Sequence, residues 1–174
     1  MTQSSLAYKG QVTIKTMHGK KVVKTTTIKN AGCLPLFSFL VDCLSGTFNK
    51  DNAPAYLSLF YVATTPVTSD PLTPGTATAV SLLPIAVSDI QTSTNATNLS
   101  NLSASVSYTF LVPGSLISED NTANVLGLYS TRNRNNKNKP MAWIELESGL
   151  ESSSVASGVN YVVIWTLTVM NQNN

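Results

Sequence analysis

His18 is the only histidine in the 174-residue chain, and Cys33 and Cys43 are its only cysteines. A thiol nucleophile would need His18 beside it to take its proton. The local sequence works against that pairing. His18 lies in a predicted hairpin turn, where Asn, Asp and His tolerate left-handed backbone, while both cysteines fall in or next to an apolar helix expected to be buried. One histidine and two separated cysteines also fall short of the four ligands of a typical zinc site. Across that helix the cysteines have poor geometry for a disulfide. They read as two buried thiols of a protein made in a reducing cytosol.

Two carboxylates could do chemistry without any histidine. Glu145 and Glu147 share one face of a predicted strand as i and i+2. Such a pair can serve as acid and base on a glycosidic bond, or hold calcium. Glu119 and Asp120 lie in a turn, and no third ligand is positioned by the sequence. The solvated outer face of an amphipathic strand accounts for Glu145 and Glu147. Glycine motifs for nucleotide phosphates are absent. The chain is therefore expected to be no enzyme, with no metal, no cofactor and no small-molecule substrate.

The elements around these residues point to a β protein. Gly10 to Met17 and Lys20 to Ile28 are rich in Val, Ile and Thr, and His18-Gly19 between them reads as a two-residue hairpin loop with Gly at its second position. Val12, Ile14 and Thr16 share one face while Lys15 takes the other, so the ribbon reads as apolar on one side and cationic on the other. Residues 33–45 read as one short helix, with Pro35 in its first turn and Gly46 as its cap. Leu36, Phe37, Leu40, Cys43 and Leu44 recur at helical spacing. A stripe this wide must be covered, either by the sheet or by another subunit.

Beyond residue 50 only strands and turns are predicted. Ala55 to Ala63 is apolar on both faces, as a central strand is. Residues 64–78, with Pro66, Pro71, Pro74 and Gly75, read as a loop. Val80 to Val87 reads as a strand interrupted by Pro84, and Gln91 to Ser103 as a polar surface loop. Val106, Tyr108, Phe110 and Val112 point inward from the next strand. Asn124 to Thr131 and Pro140 to Leu146 pair across a charged tip. In the last strand Val159, Tyr161, Val163, Trp165, Leu167 and Val169 occupy one face. About eight strands and one helix predict a single antiparallel β-sandwich over residues 1–174, Ig-like or jelly-roll-like, with a basic hairpin at 1–30, the helix at 33–45 and the remaining strands at 55–170.

Charge narrows the function. Charged residues make up 11% of the chain, against about 25% in an ordinary soluble domain. A sparsely charged, Ser/Thr/Asn-rich surface is what a subunit covered by its neighbours presents. The net charge of +2 is unevenly spread. Lys9, Lys15, Lys20, Lys21, Lys24 and Lys29 precede the first acid, Arg132, Arg134, Lys137 and Lys139 form a second cluster, and residues 51–120 hold no Lys or Arg. Such clusters dock on acidic surfaces. Nucleic acid is disfavoured as a partner, because no aromatic residues interleave with the lysines as stacking platforms. The opening residues lack the charged and apolar regions of a signal peptide, and no apolar run reaches the roughly 20 residues of a membrane span. No membrane partner is expected, and synthesis in a cytoplasm follows. Asn95-Ala-Thr97, Asn98-Leu-Ser100 and Asn101-Leu-Ser103 match the glycosylation pattern, which without a secretory signal is an accident of composition.

Three segments, taken in order, are familiar: Asn124 to Ser130 (NVLGLYS), the strand around Trp143 to Leu146 (WIEL), and Tyr161 to Val169 (YVVIWTLTV). They resemble the C-terminal part of small virion proteins of tailed bacteriophages, where a GLY or GLF strand, a loop, a second strand and a final W-T-L-T strand close a β-sandwich. Upstream, Lys29 to Gly32 followed by Leu36, Phe37 and Leu40 to Leu44 is similar to the start of such proteins. The resemblance implies a virion structural protein made in the host bacterial cytoplasm, with other virion proteins and copies of itself as partners. A head–tail connector or tail ring is the leading place, with capsid decoration and a receptor- or glycan-binding module as alternatives. The aromatics fall in or beside predicted strands rather than on long loops, which weighs against sugar stacking. Lys15, Lys20, Lys21, Lys24, Lys29, Arg132, Arg134 and Lys137 are the expected protein-interface residues, with the apolar helix and the loop Pro66 to Gly75 as further docking elements.

Overall fold

In a computed structural model, residues 4–62, 78–80, 83–96, 102–119, 122–134, 136, 139–153 and 158–173 are described. Ser4–His18 (β1) and Lys21–Gly32 (β2) form the N-terminal hairpin, and Leu34–Ser45 is a helix (α1). Pro54–Tyr61 (β3), Thr78–Ala79 (β4), Ile85–Ala86 (β5), Asp89–Ala96 (β6) and Leu102–Pro113 (β7) follow. Ala123–Ser130 (β8), Ala142–Leu150 (β9) and Val159–Asn173 (β10) complete the strands. Every pairing is antiparallel.

The strands form two sheets that share β2. One runs β2-β1-β10-β7-β6, and the other β4-β3-β8-β9, joined to the end of β2, with β5 also on β3. The join is short: only Ala31 and Gly32 of β2 pair with β9, opposite Trp143 and Ala142. This gives the mostly β, sandwich-like architecture expected from the alternation of apolar residues. Val12 and Ile14, Phe110 and Val112, and Val163 and Trp165 face inward from the first sheet. They meet Leu57 and Leu59, Leu126 and Leu128, and Ile144 and Leu146 from the second. Burying such side chains stabilises by about 1.5–3 kcal/mol each.

The second sheet is also buried in part on its outer side. Phe60, Val62, Val125 and Tyr129 form a smaller cluster, flanked by Tyr56 and Trp143. The ring of Tyr129 lies across Gly127, where any Cβ would meet it. The first sheet's outer face is mixed, with Val162, Ile164 and Leu111 toward the hairpin tip and hydroxyl side chains beyond them. Thr166 bonds Ser107 and Thr168 bonds Ser105, each at 2.9 Å, in cross-strand hydroxyl pairs that support a ladder.

Four expectations change. The hairpin loop is Gly19-Lys20, one residue later than expected, because His18 pairs with Lys21. Gly19 takes φ 58° while Lys20 after it does not take a positive φ, the pattern of a turn that wants Gly first. Residues 91–96 and 102–103, expected in a surface loop, belong to β6 and β7, so the described residues hold ten strands where about eight were expected. An edge strand bonded through its backbone carries no apolar alternation to betray it, and residues 89–95 are all exposed. Among the described residues of Val80 to Val87 only Ile85–Ala86 (β5) is a strand, and the two-residue β4 lies just before that range. Finally, Cys33 is buried but Cys43 is exposed, one turn beyond Phe39 and Leu40 toward the open C-terminal end of the helix. The loop at residues 64–78 falls, all but its last residue, outside the described residues.

Candidate assembly surfaces

The residues with chemical potential are kept apart. His18 ends β1 and Cys33 follows the far end of β2. The extended strand between them spans roughly 35–40 Å at about 3.3 Å per residue. Glu145 and Glu147 are exposed on β9. Among the described residues no group of three His, Cys, Asp or Glu is placed to hold a metal ion, and no helix is long and apolar enough to cross a membrane.

Helix α1 divides its apolar residues between two faces. Cys33 caps it in extended conformation, Pro35 occupies its first turn, and Gly46 at φ 75° ends it in the left-handed region. Leu36 is fully buried, and Phe39 and Leu40 pack against the core. Phe37, Val41 and Leu44, spaced i, i+4 and i+7, share the opposite face. They are 44%, 61% and 79% exposed. Phe37 leans edge-on against Tyr8 at 5.9 Å between ring centroids, and half-exposed Phe48 against Phe39 at 5.8 Å. The core reading of the stripe holds for one face, which takes Leu36, Phe39 and Leu40, while Phe37, Val41 and Leu44 are left as an exposed ridge.

The basic residues do not gather into one patch. Lys15 and Lys29 stand on the first sheet's outer face, paired with Thr25 and Gln11. Lys20 and Lys21 are exposed at the hairpin tip, which is tied down by the Gly19 amide donating to the Gly158 carbonyl at 3.0 Å. Lys24 takes the opposite face from Lys15 and Lys29. It pairs with Thr16, on the inward side, because a bulge between Thr16 and Met17 shifts the register before the tip. Arg132 and Arg134 lie at the other end, in the turn after β8. There the Arg132 amide bonds the Asp51 carbonyl, and Arg134 stacks over the Tyr56 ring at 5.6 Å while bonding its hydroxyl. Lys137 lies outside the described residues.

Below the join at Ala31 and Gly32, β2 and β9 splay apart and open a cleft of about 570 Å3. Its floor is Ile14, Ile28, Leu146, Leu150 and Tyr161. Its rim carries Glu145, Glu147 and Glu151 with Lys24 across from them. The Lys24 ammonium donates to Ser148 Oγ at 3.3 Å. The Tyr161 hydroxyl, whose pKa is raised chiefly by burial, donates to the Glu151 carbonyl and accepts from its amide, each at 3.1 Å. Sequence spacing singled out Glu145 and Glu147 but not Glu151, which lies past the end of β9 and is brought in by Tyr161. No family model, no curated protein and no solved structure matches the chain.

Proposed function

We propose that the chain is a structural subunit of a tailed-bacteriophage virion, acting by protein–protein assembly as a ring subunit at the head–tail connector, neck or tail. The observation that carries this reading is the bare ridge Phe37–Val41–Leu44 on α1. Scattered exposed apolar residues are ordinary, but a contiguous patch at helical spacing marks a contact surface. Covering it against a neighbour would return about 1.5–3 kcal/mol per side chain fully buried. The low charged fraction supports the same reading, and the phage context rests on the resemblance of residues 124–130, 143–146 and 161–169.

Native mass spectrometry with particle imaging tests it. A discrete ring, lost on Leu44→Asp without loss of fold, is the expected result. A monomer that joins only capsid shells would make the chain a decoration protein instead. A monomer indifferent to shells and tails would overturn the assembly reading in favour of a receptor-binding module.

A further inference from the structure

The hairpin tip and the β2–β9 cleft carry opposite charge, and among the described residues neither is neutralised by an ion pair. Among the described residues no lysine or arginine forms an ion pair with a carboxylate. Even Lys24, at the cleft rim, bonds a serine hydroxyl rather than a glutamate. Glu145, Glu147 and Glu151 outnumber Lys24 there, leaving a net negative cleft with an apolar floor. The tip is its counterpart: Lys20 and Lys21 are exposed beside Val22 and Val23, which are 45% and 56% exposed. Two cations and two apolar side chains face, in type, a surplus of carboxylates above an apolar floor.

We infer that the hairpin tip of one copy docks on the β2–β9 cleft of a second copy. This rests on the reading of the chain as an assembling subunit and names the partner surface of its basic hairpin. Tip and cleft lie at the same end of the molecule, since Thr16 pairs with both Lys24 and Tyr161 and Tyr161 holds Glu151. Side-by-side patches of opposite sign are self-complementary about a two-fold axis, so each copy gives its tip and receives the other's, a pairing separate from the α1 ridge contact that closes the ring. Among the described residues the cleft edge of β2 from Lys21 to Asn30 has no strand partner, which leaves backbone groups there for an incoming extended segment. Surface charge contacts of this kind weaken with salt.

Charge reversal tests the contact. Sedimentation velocity at low and high salt would compare the wild type with Lys20→Glu/Lys21→Glu and with Glu145→Lys/Glu147→Lys. All four residues are exposed, so circular dichroism melts should match the wild type. The expected result is salt-sensitive association of the wild type and association weakened roughly tenfold or more in each variant. An equimolar mixture of the two variants should recover the wild-type species, since each reversed tip then meets a reversed cleft. Either variant associating as well as the wild type would overturn the inference, as would a mixture no better associated than its components. If the wild type assembles and the variants do too, this contact fails while the assembly reading stands. A wild type that is monomeric alone and on particles overturns both.

Discussion

Asn124 holds both backbone polar groups of Val62: its Oδ1 accepts from the amide at 2.8 Å and its Nδ2 donates to the carbonyl at 2.9 Å. The β3–β8 ladder ends at Phe60 and Val125. A side-chain amide thus stands in for one more rung, just where the chain leaves the sheet. Asn124→Ala leaves a donor and an acceptor unpaired and should cost about 1–3 kcal/mol. Urea denaturation should show a lower midpoint with an unchanged slope. Asn124→Asp, which keeps the acceptor alone, should fall on the same side of wild type.

The two faces of α1 should separate cleanly by substitution. Leu36→Asp buries an unpaired carboxylate in the core and should prevent folding, read as loss of the cooperative thermal transition. Leu44→Asp should leave that transition within about 0.5 kcal/mol of wild type while abolishing assembly. If both unfold the chain, the ridge is not a docking surface.

Trp165 sits at the centre of the core with its Nε1 donor buried and unpartnered. That donor is a standing cost. Trp165→Phe removes it and leaves a smaller cavity, so it should cost well under the roughly 3–5 kcal/mol expected of Trp165→Ala. Equal losses in the two variants, measured by chemical denaturation, would show that the indole nitrogen costs nothing.

Alkali should destabilise the fold through its buried phenols. Burial, with a smaller contribution from Cys43, pushes Tyr108 from 10.0 up to about 12, and burial moves Tyr129 the same way. The unfolded chain therefore loses these protons first. Tyr108's contribution is fully present below pH 10 and is lost as pH rises toward 12. Tyr108→Phe should lessen the fall in stability between pH 9 and pH 11 by roughly 1 kcal/mol at most, allowing for the ring's remaining contact with solvent. An unchanged fall would put the cause elsewhere.

What was legible in the sequence followed burial. The inward sets of β7 and β10 could be read residue by residue, because a strand packed on one face must alternate. The helix could be bounded from Pro35 and Gly46, whose backbone preferences are local. Strand β6 could not be read, since neither of its faces is covered and backbone bonds to β7 alone hold it. The cleft was hidden for a different reason. Its residues come from β1, β2, β9 and β10, and only the divergence of β2 from β9 after a two-residue join brings Lys24 opposite Glu145, Glu147 and Glu151. Nothing in the spacing of Lys24 announces that a bulge turns it inward.

The pairing of β1 with β10 runs without interruption from Ser4 opposite Asn173 to His18 opposite Val159. The middle of the first sheet is therefore built from two segments made some 140 residues apart. While translation continues, β1 can pair only with β2, and the faces of that ribbon and of β7 wait for a strand not yet made. Contacts this distant in sequence close slowly, and exposed apolar strands associate in the interval. Folding should begin in earnest only after synthesis of β10, and a nascent chain stalled before residue 159 should remain protease-sensitive and dependent on chaperones.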